Sequence, residues 1–332
     1  MVFYFYENAM KEIDKISVDG LVPKSAHLSH WKGNQTPVPF KADTSTEIVF
    51  RYLNHPRRRE LFPEMRIITN NHFDADGLLS VWTLLNPKRA ETMTGRLIST
   101  AEAGDFSTFS SEEAVQIHLL IEAFCHDEKS PLAEKIKAYN GPAEAAYYKL
   151  LLPLVPDLFR KKDHYRSLWE RPFEEILQSM ALFEKGIIGI EEYEDEGLSV
   201  VIDQKKPARQ AIDHYCQNNL FLIVEDRGGG FAYELEYRYY AWADTITRPP
   251  IRQIPMKNLA ETLNQQEGES SSAWLMEDFP GRSLTSALKF TDKQGGTQLS
   301  RLHPETVIET VLSHLRRHSH ESEIHEETHP KD

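Results

Sequence analysis

Met65-Arg66-Ile67-Ile68-Thr69-Asn70-Asn71-His72-Phe73-Asp74-Ala75-Asp76-Gly77-Leu78-Leu79-Ser80 reads as a short buried strand, a polar loop over residues 71–77 and the start of an apolar helix over residues 78–85. A strand passing through a loop into a helix predicts an α/β chain. His72, Asp74 and Asp76 stand at alternate positions, so an extended backbone would point all three to one side. Imidazole plus two carboxylates suits Mn²⁺, Fe²⁺ or Zn²⁺ better than Ca²⁺. Gly77 permits the turn, and the helix behind it would aim backbone donors at an anion beside the metal. The same residues also fit a polar turn in which Asp74 or Asp76 caps the helix.

Outward from this stretch, residues 1–64 read as irregular apart from one helix over residues 44–53, where Thr44 and Glu47 have capping-box spacing. Ser110-Ser111-Glu112-Glu113 repeats that signature ahead of an apolar stripe ending at Phe124, and a further helix is expected over residues 143–152. Another should begin near Pro172. Strands are expected over residues 197–203 and 220–225, the latter joined by Asp226-Arg227-Gly228-Gly229-Gly230 to an antiparallel partner at residues 231–242. A last helix should cover residues 304–316. Helices dominate before about residue 186 and strands after it. This places the boundary in the acidic run Glu191-Glu192-Tyr193-Glu194-Asp195-Glu196, with a metal-binding domain over 1–190, a C-terminal domain over 197–317 and a disordered, His-containing acidic tail over 318–332.

The 332 residues are 40% apolar and 27% charged, enough for a sizeable core and about two domains. No run approaches the roughly 20 apolar residues of a membrane helix. The N-terminus lacks the features of an export signal, and Cys125 and Cys216 are too isolated for a disulfide framework or a paired-cysteine zinc site. Cytoplasmic residence is expected.

His72-Phe73-Asp74-Ala75-Asp76-Gly77-Leu78-Leu79-Ser80 resembles the first motif of the DHH phosphoesterase superfamily, His-x-Asp-x-Asp-Gly-x-x-Ser, which follows the first core strand and binds catalytic manganese. The resemblance implies a DHH-like core with a predominantly parallel sheet flanked by helices, plus a smaller α+β C-terminal part with an antiparallel hairpin. It also implies one or two Mn²⁺ ions, with Mg, Fe or Zn as substitutes. Asp105 would be the second-motif aspartate at the end of a strand over residues 96–101. The third motif, Asp-His-His, is missing. Ile212-Asp213-His214-Tyr215 and Asp163-His164-Tyr165 imitate its letters but read as exposed helix or loop.

Upstream, His27-Leu28-Ser29-His30-Trp31 and Asp43-Thr44-Ser45-Thr46-Glu47-Ile48-Val49 resemble the superfamily's passage from that motif into its Ser-Thr helix, in permuted order. Ser29 stands where the bridging aspartate should be, so one metal ligand is missing. His30 would contact phosphate or a metal, with Asn34 and Thr36 as polar loop contacts; a packing loop held by Trp31 is the alternative. Arg227-Gly228-Gly229-Gly230 and Arg238 are the nearest counterparts of the superfamily's glycine-rich basic region, unless they form an ordinary hairpin. Over its whole length the chain resembles an uncharacterised bacterial family of unknown function through Ser29-His30-Trp31-Lys32-Gly33-Asn34-Gln35-Thr36-Pro37, residues 71–82, Ala103-Gly104-Asp105-Phe106 and Tyr237-Arg238-Tyr239-Tyr240-Ala241-Trp242.

The expected site therefore has His72, Asp74, Asp76 and Asp105 as metal ligands, His30 and Asp76 in catalysis, and Asn34, Thr36, Asn71 and Arg238 toward substrate. The expected activity is hydrolysis of a phosphate ester or anhydride on a small phosphorylated molecule or short oligonucleotide. A non-catalytic phosphoryl-binding or scaffold protein and a hydrolase of non-phosphate substrates are the alternatives. The net charge of −13 argues against coating nucleic acid or an anionic membrane. Much of that charge sits in residues 191–196 and in the tail. Residues 1–70 carry ten Lys or Arg against eight Asp or Glu, so an anionic substrate is not repelled there.

Overall fold

A computed structural model describes residues 1–276 and 285–327. The chain divides into two compact units, Met1–Glu175 together with Trp242–Pro250, and Ile176–Ala241 together with the described residues from Ile251 onward.

The first unit is built on four parallel strands: β1 (Val2–Phe3), β2 (Lys15–Val18), β3 (Ser25–Leu28) and β4 (Ile67–Thr69), in the order β1-β4-β2-β3. The expected strand at Ile67 is therefore central, and the supposedly irregular N-terminus supplies its three partners. Strands of two to four residues are too short to show the alternation by which a sequence reveals them. Only residues 19–24 join β2 to the parallel β3, whereas such a crossover usually takes a dozen residues or more. Asp19 (φ 65°) and Lys24 (φ 53°) adopt left-handed conformations to make the return. Buried Lys15 braces it, its Nζ donating to the carbonyls of Met10 (2.9 Å), Ile13 (2.8 Å) and Pro23 (2.8 Å).

The helices of this unit are α1 (Ser45–Asn54), α2 (Ala75–Leu85), α3 (Thr94–Asp105), α4 (Glu112–His126) and α5 (Ala143–Leu151), besides shorter turns. Thr44 caps α1 and Ser111 caps α4, as their spacing predicts. Two expectations are corrected. Helix α2 starts at Ala75 rather than Leu78, because Asp74 accepts the Gly77 N–H and ends the extended run. Residues 96–101 are helical, not a strand: Leu97, Thr100, Ala101 and Ala103 are buried at helical rather than alternate spacing.

Helix α6 (Arg166–Glu184) begins six residues before Pro172, which lies inside it instead of at its first turn. The second unit has a mixed six-stranded sheet, β5-β6-β7-β8-β10-β9. Its strands are β5 (Gly189–Tyr193), β6 (Leu198–Asp203), β7 (Leu220–Asp226), β8 (Phe231–Tyr237), β9 (Ala273–Leu275) and β10 (Ser286–Thr291). Among the described strands of this sheet only β6 and β7 pair in parallel, joined through helix α7 (Arg209–Tyr215). The β7–β8 hairpin closes at Arg227–Gly230 as expected. The acidic run is no linker: it forms much of β5 and the turn into β6, with Gly197 at φ 67°. Helix α8 (Lys257–Glu267) precedes the last helix, α9 (Pro304–Glu327), which runs past the point where a disordered tail is expected; residues 328–332 of that tail lie outside the described residues. No described helix is long and apolar enough to cross a membrane.

Candidate metal centre

Parallel register brings the carboxyl ends of β2, β3 and β4 side by side, with Val18 opposite Leu28 and Ser17 opposite Thr69. Open α/β sheets bind ligands at such ends. Asp19 follows β2 directly, His30 follows β3 by two residues, and His72 follows β4 by three. Asp74 and Asp76 come from the start of α2, and Asp105 is the last residue of α3.

These residues form two groups that share Asp19. Asp19, His30, Asp76 and Asp105 bring one ligand atom each within 4.8 Å of the others, and Asp19, His72 and Asp74 do the same. His30 Nε2 lies 3.3 Å from Asp19 Oδ1, 3.6 Å from Asp76 Oδ2 and 3.4 Å from Asp105 Oδ2. On the other side, His72 Nε2 lies 3.0 Å from Asp19 Oδ2 and 3.1 Å from Asp74 Oδ2. The two oxygens of Asp19 thus face different histidines.

The donor set fits divalent ions. Asp19 Oδ1, His30 Nε2, His72 Nε2 and Asp105 Oδ2 are buried without a hydrogen bond of acceptable geometry, although buried polar atoms normally have one. Ligands at about 2.1 Å from a common ion stand about 3.0 Å apart in an octahedral and about 3.4 Å apart in a tetrahedral arrangement. The observed separations of 3.0–3.6 Å are of that size. His30 Nδ1 is 2.5 Å from the Asp43 carbonyl. A carbonyl only accepts, so Nδ1 carries the proton and Nε2 is left for the carboxylates or an ion. Asp76 is anchored through both oxygens, accepting the Ser45 N–H (2.6 Å) and the Thr46 N–H (2.7 Å) from the first turn of α1. Asp74 uses its two oxygens differently: Oδ1 caps α2 through Gly77 at 2.7 Å, while Oδ2 faces His72 at 3.1 Å.

Without an ion the carboxylates strain against one another. Burial and the Asp19 charge push Asp76 up to about 7. Burial together with Asp74, Asp76 and Asp19 pushes Asp105 well above the usual range. Burial would also raise Asp19, but the two facing imidazoles outweigh it and hold this carboxyl far below the ordinary range. For His30, Asp19 and Asp76 overcome the effect of burial and raise its pKa; for His72, Asp74 and Asp19 do so and raise it strongly. Four carboxylates around two imidazoles carry a surplus of negative charge that divalent ions would neutralise.

The whole chain, not only this site, matches a known family. The sequence model of a family of unknown function, DUF6687, fits residues 1–326. The chain belongs to that family. Among solved structures, a pGpG-specific phosphodiesterase, PggH, from Vibrio cholerae is similar over 92% of this chain and 85% of that one, at 12% identity and a TM-score of 0.36. No curated protein matches.

Within this family member, the sequence-predicted residues divide. His30, His72, Asp74, Asp76 and Asp105 converge, and Asn71 is exposed beside His72, its Oδ1 3.3 Å from the ring. Asn34 and Thr36 instead tie their own loop. Asn34 Nδ2 donates to the Trp31 carbonyl and to Asp244, while Thr36 Oγ1 donates to the Ser29 carbonyl and accepts the Ser29 N–H. Arg238 lies in the second unit, its guanidinium on Asp213 (3.0 Å) and on the carbonyls of Cys216 and Asn218. Asp163 is exposed beside Lys162. Sequence reading missed Asp19. The Ser29 hydroxyl accepts the Trp31 N–H; the carboxylate that stands between His30 and His72 is that of Asp19, from the neighbouring strand.

Proposed function

We propose that the chain is a metal-dependent phosphoesterase with a DHH-like core, binding two divalent ions, Mn²⁺ foremost, and hydrolysing a small phosphorylated molecule or short oligonucleotide. The carrying observation is Asp19, whose two oxygens belong to two separate ligand groups as a bridging carboxylate must. Asp19, His30, Asp76 and Asp105 would hold one ion, and Asp19, His72 and Asp74 the other. Bound there, the pair would lower the pKa of a water and neutralise charge developing on a phosphoryl group.

The chain's own residues divide the labour. The first group is closed, its side chains 0–3% exposed, and resembles sites filled by protein ligands alone. The second offers fewer ligands and is open, with His72 27% and Asp74 33% exposed, so substrate approaches from this side. Asn71 stands at that opening to contact the phosphoryl group. His30, enclosed and tied to Asp43, holds an ion rather than moving a proton. Asp76, gripped by the first turn of α1, fixes the position of its ion.

Purified protein stripped of metal and reloaded with Mn²⁺ tests this. It should hold two equivalents and hydrolyse bis(p-nitrophenyl) phosphate, pyrophosphate or a dinucleotide, with Asp76→Ala abolishing the activity. No retained ion and no Asp76-dependent hydrolysis would overturn the proposal.

A further inference from the structure

The segment Trp242–Pro250 returns to the first unit from far down the chain and meets His30 of the closed ligand group. It grips His30 from two directions. The Asp244 N–H donates to the His30 carbonyl at 2.6 Å, and the Trp242 ring stands edge-on to the imidazole, with centroids 4.9 Å apart at 83°. The segment also holds Asp43, the residue whose carbonyl accepts the hydrogen bond from His30 Nδ1–H. Asp43 Oδ1 accepts the N–H groups of Ile246 (2.6 Å) and Thr247 (2.9 Å). Its Oδ2 accepts Thr247 Oγ1 (2.5 Å) and pairs with Arg248 (2.5 Å). Arg248 lies over Phe106, the residue after Asp105, with a centroid distance of 4.5 Å. Asp244 is itself held by Lys41 (2.7 Å) and Asn34 (3.0 Å).

We propose that Trp242–Pro250 is a strap that retains the ion of the closed group, with Asp43 as the positioning residue that transmits its grip to His30. The inference rests on the two-ion reading and adds to it a cause for slow exchange at one of the two sites. Asp43 touches no ligand atom. Its carboxylate fastens the strap while its carbonyl fixes the imidazole, so loosening the first frees the second. The hydroxyl of Thr247 is the smallest part of this fastening that a substitution can remove.

The test uses full-length protein carrying His72→Ala, which leaves only the closed group complete. It is loaded with Mn²⁺ and challenged with excess EDTA. Ion loss should be slow in this background and in its Thr247→Ser version, which keeps the hydroxyl. Thr247→Val and Asp43→Asn should release Mn²⁺ about 10–100-fold faster, the size seen when an outer partner of a metal ligand is lost. A merely structural role would lower the melting temperature of the metal-free variants and leave this rate unchanged. Equal release rates in all versions would overturn the strap while leaving the two-ion reading intact. Failure of the wild-type chain to bind Mn²⁺ would overturn both.

Discussion

Replacing Asp19 with asparagine should weaken metal binding at both sites together. Its Oδ1 faces His30 at 3.3 Å and its Oδ2 faces His72 at 3.0 Å, and it is the one residue common to both ligand groups among the described residues. Asparagine keeps the shape but removes the charge and offers one poor oxygen in place of two. Substituting a residue that merely supports a ligand costs about 10–100-fold in affinity, so losing a shared anionic ligand should cost at least about 100-fold at each site. That is about 2.7 kcal/mol per ion. Asp74→Asn provides the contrast: asparagine can still cap α2, and only the open group loses a ligand. Titration calorimetry of the metal-free protein with Mn²⁺ should show two binding events in the wild type, one tight event in Asp74→Asn and none of comparable affinity in Asp19→Asn. If Asp19→Asn instead weakens one event alone, or neither, the bridging geometry is wrong.

Three further outcomes are expected. In Gly77→Ala the new Cβ would stand 2.5 Å from Tyr148 Oη, 2.7 Å from Asn70 Nδ2 and 2.9 Å from Asp19 Oδ2. Overpacking of this kind costs about 1–3 kcal/mol, against a gain of up to about 1 kcal/mol in helix propensity; urea unfolding should report a net loss, and Mn²⁺ titration weaker binding. Metal affinity should fall as pH falls through about 7. Asp76 must be ionised to bind and in the metal-free protein holds its proton up to about 7, and raised His30 must likewise lose its proton, so both act with the same sign. Calorimetry in buffers of different ionisation enthalpy should find protons released at pH 6 and fewer at pH 8. Arg238→Met removes the guanidinium that holds the Asp213 carboxylate and the carbonyls of Cys216 and Asn218 in the second unit and should cost about 3 kcal/mol of its stability, while the Mn²⁺ titration stays unchanged.

The three-residue β4 was legible because its apolar residues lead through a polar loop straight into the long apolar helix α2, and the capping box of α1 because it is purely local. Asp105 was expected at the end of a strand and stands at the end of a helix, yet its side chain reaches the cluster. What matters for the site is where its side chain ends, and the close of a helix serves as well as the end of a strand. Asp19 was illegible for a different reason. It follows a four-residue strand, sits in a turn at positive φ and belongs to no spacing pattern with His72; only the parallel register unites them. The signal available was Ile16-Ser17-Val18-Asp19-Gly20, two β-branched residues running into an Asp-Gly turn, a carboxylate directly after a short apolar segment. The return of Trp242–Pro250 to the first unit could not be foreseen either, because Asp43 and Arg248 meet across some two hundred residues of chain.

A crystal structure of the Mn²⁺-loaded protein, with anomalous differences measured at the manganese absorption edge, tests the central claim most directly. Two anomalous peaks are predicted, one among Asp19, His30, Asp76 and Asp105 and one among Asp19, His72 and Asp74, with a different Asp19 oxygen on each. A single peak that Asp19 does not touch, or none at this cluster, would contradict the account.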